Sequence, residues 1–189
     1  MLKRTKFSLQ NKYGDVCMHA KNYRAVKGQS YARRDYVKGF PASKITKFTI
    51  GDTKTEFEYE GRLISLERAQ IRHNALEAAR VATNRVLMEK LVDKYLLRVL
   101  PFPHAILREN KMLFGAHADR LQTGMRRSFG KPIGTAARVK ADQVLIVVNV
   151  NANGLEFAKE ALKRGSAKLP IPCRIVIEKV QVEEAKPVG

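Results

Sequence analysis

The sequence predicts an α+β fold: an antiparallel or mixed sheet with two main helices and a long basic loop. Three observations predict it. Two segments carry apolar residues at helical spacing, Ser65–Leu91 and one opening at Asn153 or Gly154. Around them lie short runs that alternate with period two or are apolar throughout. From His104 to Arg138 the chain keeps neither period and concentrates positive charge instead.

Residues Met1–Lys21 show no periodicity. They form an extension of open status, either an ordered arm on RNA or a stretch ahead of an alternative start at Met18. Residues 22–180 are expected to form a single α+β RNA-binding domain, and 181–189 a mobile tail. In Asn22–Phe40 the cations Arg24, Lys27, Arg33, Arg34 and Lys38 alternate with Tyr23, Tyr31, Tyr36 and Phe40. That pattern lets guanidinium groups meet phosphates while rings stack on bases. Equally, the rings could anchor the arm on the core. Ile45–Ile50 and Glu56–Tyr59, separated by Gly51-Asp52-Thr53, predict an antiparallel pair.

Ser65 is placed as the cap of the first helix, with Leu66, Ala69, Leu76, Leu87 and Leu91 as its buried stripe. His73 falls on that stripe and is read as a hydrogen-bonded packing residue rather than a ligand. Tyr95–Leu100 is a strand stopped by Pro101 and Pro103, and Ala105–Arg108 a short strand entering the basic loop. Ala136–Val139 returns to the sheet, and Gln143–Val150 (QVLIVVNV), apolar on both faces, is the candidate central strand. In the second helix Leu155, Ala158, Ala161, Leu162 and Gly165 share a face; Cys173–Val180 alternates as a last strand.

With 189 residues and 44% hydrophobic composition the chain can bury a core, so it is not a disordered basic tail. Its 36 Lys+Arg against 18 Asp+Glu give a net charge of +18, which a compact monomer tolerates best when a polyanion neutralises it. Nucleic acid is the leading partner and an anionic membrane surface the second. No run approaches the roughly 18 apolar residues of a spanning helix, and the N-terminus lacks the apolar core of a secretory signal. Cys17 and Cys173 are read as free thiols in a reducing, cytoplasmic compartment rather than as a disulfide.

The loop, expected at about 109–135, carries Arg108, Lys111, Arg120, Arg126, Arg127, Lys131 and Arg138 in and around it, against Glu109 and Asp119. Gly115, Gly124, Gly130, Gly134 and Pro132 argue against a continuous helix or strand through it. Unstructured connections longer than about 12–15 residues are usually functional or disordered. Met112, Leu113, Phe114, Leu121, Met125, Phe129 and Ile133 among the cations speak against disorder. Basic charge, apolar anchors and exposed backbone suit a surface that lies on folded nucleic acid.

Catalytic readings fail on spacing. Gly124–Lys131 has five residues between its first two glycines and Pro132 after the lysine, so it lacks the magnesium-binding hydroxyl of a nucleotide-binding loop. Its exposed N–H groups and lysine still suit a backbone phosphate. His19, His73, His104, His117 and the two cysteines have no metal-ligand spacing, and no nucleophile–base set is apparent. No metal and no cofactor are expected. Asp119 is read as a brace for a neighbouring arginine.

The stretch MLFGAHADRLQTGMRRSFGKPIGTAARV, with HNALEAARVATNR before it and LKRGSAKLP after, closely resembles the L-ten-e family of large-subunit ribosomal proteins, L-sixteen in bacteria. The resemblance covers about Tyr23–Val180. It implies a structural, non-enzymatic protein of the large subunit, bound to ribosomal RNA near the aminoacyl-tRNA site and not far from 5S RNA. Carried over by position, Met112, Leu113, Phe114, Gly115, Ala116, His117, Ala118, Asp119, Arg120, Leu121 and Gln122 would form a tip reaching towards the peptidyl-transferase centre. Thr123–Arg138 would pack on ribosomal RNA, and Arg24–Arg34 would contact it too. Partners implied are large-subunit ribosomal RNA, 5S RNA, aminoacyl-tRNA and neighbouring ribosomal proteins. The long loop sides with the archaeal and eukaryotic branch, and the lack of an acidic C-terminal extension with the archaeal form. An RNA-modifying enzyme using the loop as a lid, and a basic assembly factor, are the competing classes.

Overall fold

Gln143–Val150 ends up where its two apolar faces require, in the middle of a sheet. The computed structural model describes residues 7–9, 26, 32, 35–111, 113, 115 and 130–180. In chain order the described elements are β1 (Phe7–Leu9), β2 (Thr49–Gly51), β3 (Tyr59–Ser65), β4 (Ala69–Arg72), α1 (His73–Leu91), β5 (Leu96–Val99), β6 (Ala105–Glu109), β7 (Lys131–Val139), β8 (Val144–Val150), α2 (Leu155–Ser166) and β9 (Cys173–Lys179). A 3-10 turn at Ala152–Gly154 leads into α2. The α+β class is as predicted, but the strands form two antiparallel sheets rather than one. The larger has the order β1-β9-β3-β8-β5-β2 and the smaller β4-β7-β6.

The helices lie on one face of the larger sheet. Gly61 of β3 admits the Leu162 side chain of α2 so closely that an added Cβ would sit 3.1 Å from its Cδ1. Leu63, Leu97, Ile146 and Val148 from the strands and Leu76, Leu87, Ala158 and Leu162 from the helices fill the core between them. Burying a side chain of this size fully contributes roughly 1.5–3 kcal/mol. The two helices run antiparallel, since Gly154 abuts Leu91 and Gly165 abuts Thr83. The Thr83 hydroxyl donates to the Ala79 carbonyl oxygen (2.8 Å), which keeps it satisfied inside the helix crossing.

Two expectations fail here. Ile45–Ile50 does not pair with Glu56–Tyr59: only Thr49–Gly51 is strand, and it pairs with β5, Ile50 opposite Leu97. The cause is Asp52, whose carboxylate accepts from the Lys54 N–H (2.8 Å) and from the Thr55 hydroxyl, folding the chain into a wider turn. The Asp52 N–H itself donates to the Tyr95 carbonyl, turning β2 towards β5. Tyr59 instead opens β3, which pairs with both β8 and β9.

The first helix starts at His73, not Ser65. Ser65 is the buried last residue of β3, opposite Cys173, and its hydroxyl donates to the Glu67 carbonyl (2.6 Å). Leu66 is exposed, and Ala69 pairs with Val139 in β4. Their spacing continued the helical stripe by coincidence, and strand partners distant in sequence overrode it. Leu76 and Leu87 are buried as expected and Leu91 is half-buried. The Cys173 thiol, pushed by burial up to about 12, donates weakly to the Ile171 carbonyl (3.4 Å); Cys17 lies outside the described residues.

Helix α1 ends at Val92 with φ 56° and ψ −104°, a conformation that disfavours a β-branched residue. Its side chain is exposed, so Val92→Gly removes strain and little packing. The expected gain is about 1 kcal/mol in unfolding free energy, measured by denaturant titration. A lower unfolding midpoint would refute this assignment of strain.

Candidate nucleic-acid interface

The basic loop is held by the β6–β7 hairpin of the smaller sheet. Glu109 faces Lys131, Arg108 faces Pro132, and Leu107 faces Gly134, so Ile133 is one residue too many on the β7 side. That bulge accommodates Pro132, which has no N–H to offer a regular ladder. The loop is therefore shorter than expected, running 110–130 rather than to 135. Pro132 and Gly134, taken as strand breakers, lie inside β7. Each glycine has a steric reason. An added Cβ on Gly130 would collide with the Glu109 carbonyl group and the Asn110 nitrogen, and one on Gly134 would lie 2.8 Å from the His73 Nε2.

His73 braces this hairpin. It is buried, and its Nδ1 accepts the Lys44 backbone N–H at 2.9 Å, which leaves the ring proton on Nε2 towards Gly134. It is thus a hydrogen-bonded packing residue, as read from the sequence. Burial first, then the Arg72 and Lys44 charges, hold its pKa below the ordinary 6.5. A base with a lowered folded pKa binds fewer protons folded than unfolded. Its contribution is complete above pH 6.5 and is lost as pH falls from there through the folded value. The stability difference between the protein and a His73→Asn variant should accordingly shrink on acidification below pH 6.5. A difference independent of pH, in urea melts across that range, would contradict this role.

Among the predicted RNA contacts, Arg108, Lys111 and Lys131 cluster at the mouth of the hairpin and are exposed. Leu113 and Gly115 lie exposed just beyond, Gly115 at φ +148°, which L side chains rarely adopt. Arg138 does not join them. It lies seven residues along β7 from Lys131, roughly 20 Å away at strand rise, half-buried and opposite Gln70 of β4. Arg24, Lys27, Arg33, Arg34, Met112, Phe114, Ala116–Gln122, Arg126 and Arg127 lie outside the described residues. The Ala32 carbonyl accepts from the Ile106 N–H (3.1 Å), so the basic arm meets the edge of β6. Tyr36 is exposed while Phe40 is half-buried, one ring for each of the two readings of the arm.

Sequence reasoning missed Arg72. It was assigned to the helix, but it is the last residue of β4, opposite Ala136, and strand alternation puts it on the same face as Arg138. Its Nε is buried without a hydrogen-bond partner among the described residues. The signal available was the alternation Ala69-Gln70-Ile71-Arg72, with Ile71 fully buried. On the larger sheet Arg62 pairs with Glu60 (2.9 Å) and Glu178 (3.1 Å), and Arg174 pairs with Asp142 (3.0 Å) near its end. No group of three or more His, Cys, Asp or Glu residues converges on a metal position among the described residues. Nor is any described helix long and apolar enough to cross a membrane.

Fold and charge together define a class: an α+β protein that presents a basic loop from a clamped β-hairpin. Residues 26–176 match the family described as ribosomal protein L16p/L10e. The large ribosomal subunit protein uL16 of Staphylothermus marinus is 49% identical over 160 residues, covering 84% of this chain and 92% of its own. Its counterpart in Sulfolobus acidocaldarius is 51% identical over 166 residues, covering 86% and 94%. That of Picrophilus torridus is 46% identical over 165 residues, covering 87% and 94%. The chain belongs to the L16p/L10e family of large-subunit ribosomal proteins, with relatives in archaea, within the archaeal and eukaryotic branch that its long loop had suggested. It is a structural protein of the large ribosomal subunit and not an enzyme.

Proposed function

We propose that this protein binds large-subunit ribosomal RNA near the aminoacyl-tRNA site through loop 110–130, with the tip 112–122 reaching towards the peptidyl-transferase centre and supporting tRNA positioning. Arg120, Arg126 and Arg127 in the loop and Arg108, Lys111 and Lys131 at its mouth meet phosphates. Arg138 and the arm residues Arg24, Lys27, Arg33 and Arg34 extend the contact, so that 22–180 act as one RNA-binding domain. 5S RNA, aminoacyl-tRNA and neighbouring ribosomal proteins are the further partners.

The observation that carries this reading is the clamp. Pairing of Glu109 with Lys131 closes the ends of a long basic loop against each other. Holding the two ends together reduces the ordering entropy that RNA contact must overcome. Phosphate contacts of this kind fix register and release counterions; they carry little sequence information. Peptide-bond chemistry is left to the RNA.

The test is binding of the full chain to large-subunit ribosomal RNA across a salt series. Replacing Arg126 and Arg127 with alanine should weaken binding about tenfold and make the log–log salt slope shallower by about 1.5–2. A slope unchanged by both replacements would place the RNA face elsewhere on the molecule.

A further inference from the structure

We infer that the outer face of α1, with the groove between α1 and the end of α2, docks an amphipathic helix of a second protein whose acidic end meets Lys44 and Lys168. The inference uses membership of the large subunit and none of the RNA contacts proposed above.

Helix α1 buries one stripe and leaves a second, partly apolar one in solvent. Val81, Met88 and Val92 are 48%, 60% and 66% exposed. At 100° per residue Val81 and Met88 fall within about 20° of a common line, and Val92 follows one position past the end of the helix. Ala78 and Arg85 flank that line, and the stripe from Asn74 to Val92 is about 27 Å long at helical rise. Beside it runs a groove of about 790 Å³, floored by Ala78, Ala82 and Ala167. Small side chains along a helix pair let another helix approach closely, and aliphatic residues spaced by seven and then four positions form the seam such a helix packs on.

Charge decides what kind of partner fits. Arg85 is neutralised by Glu89 (2.9 Å), Arg164 by Glu160 (2.6 Å), and Glu77 by Arg80 (2.5 Å). Lys44 and Lys168 line the groove with no ion-pair partner among the described residues. They lie towards one end, where the start of α1 meets the end of α2. An acidic residue, or the C-terminal end of a helix with its partial negative charge, complements that end.

RNA fits less well. Among the described residues no aromatic ring lines the groove to stack a base, and the exposed aliphatic residues offer nothing to a ribose or phosphate. An aliphatic seam with paired charges along its flanks is instead the composition of a protein–protein contact.

The experiment places a photo-crosslinking amino acid at Met88, and separately at Val81, in the full chain expressed in cells. After irradiation, adducts are read by mass spectrometry in every fraction of a sucrose gradient. The expected product joins Met88 to one other protein, within an amphipathic helical segment that carries Asp or Glu at one end. Lys44→Glu with Lys168→Glu should lower its yield roughly five- to tenfold while the chain still sediments with large subunits. Met88→Asp, at an exposed position, should weaken retention of the same partner in a chain crosslinked at Val81. Adducts to ribosomal RNA, to this chain itself or to nothing would overturn the inference, as would a yield indifferent to the charge reversals. Loss of the chain from the large-subunit peak would count separately, against the ribosomal role.

Discussion

Gly165→Val is expected to lower the unfolding free energy by about 3 kcal/mol, the upper part of the usual cost of overpacking a core. Gly165 is where α2 crosses α1, and an added Cβ would collide with the Thr83 hydroxyl and lie 3.7 Å from the Ala79 carbonyl oxygen. The carbonyl is at ordinary contact distance, so the hydroxyl is the obstacle, and it does not move cheaply. The Thr83 hydroxyl is committed to the Ala79 carbonyl (2.8 Å), and turning it away would leave a buried donor unpaired. The helices must separate, and Leu76, Ala79, Ala161 and Leu162 lose contact along the seam. Alanine is the informative control. It gains about 0.5–1 kcal/mol in helix propensity over glycine, which offsets part of its clash. Thr83→Ala should rescue Gly165→Ala because it removes the colliding oxygen, with a coupling of about 1 kcal/mol or more. Additive single effects in urea unfolding would show that the crossing is looser than the contact implies.

Gly130→Val should be the most damaging single change at the mouth of the loop. A side chain there has no space, because the Glu109 carbonyl and the Asn110 nitrogen occupy its position. The variant must break the Glu109–Lys131 pairing or shift its register. The predicted cost is about 2 kcal/mol, felt by the hairpin end rather than by the helices. Hydrogen exchange should quicken at Arg108, Glu109 and Lys131 and stay slow at Leu97 and Val148 in the larger sheet. With the mouth open, the loop has more freedom to lose on binding RNA, so affinity should fall about tenfold although no charge has been removed. The salt slope should stay as it was, in contrast to the Arg126 and Arg127 replacements. A slope that flattened would mean that opening the mouth also moves Arg108, Lys111 or Lys131 off their phosphates, so that the loss is one of charge contacts and not of ordering alone.

These two glycines also mark where sequence and tertiary structure divide the work. Apolar runs identified β8 as central, because a strand buried on both faces cannot afford polar positions and QVLIVVNV has few. Helix α2 was legible for a related reason: Ala158, Ala161, Leu162 and Gly165 recur on one face, and all four are buried. The charge of the loop was legible as well, because cations crowded among apolar residues and glycines have few other uses. The family signature, which rests on that same stretch, carried the remaining functional reading.

Only the tertiary structure decided the rest. Leu66 and Ala69 continue the spacing of α1, yet Ala69 is claimed by Val139, seventy positions along the chain. Spacing reports which residues can share a face and says nothing of a competing strand far away in sequence. Thr49–Gly51 likewise found β5 instead of its near neighbour, once Asp52 had bonded to Lys54 and Thr55. Pro132 and Gly134 looked like breaks because backbone rules were applied to them alone. Opposite Arg108 and Leu107, with Ile133 bulged between them, they fit a strand. Local propensity set the presence of most elements here. Partners distant in the chain set their ends, their pairing, and the mouth from which the basic loop leaves the domain.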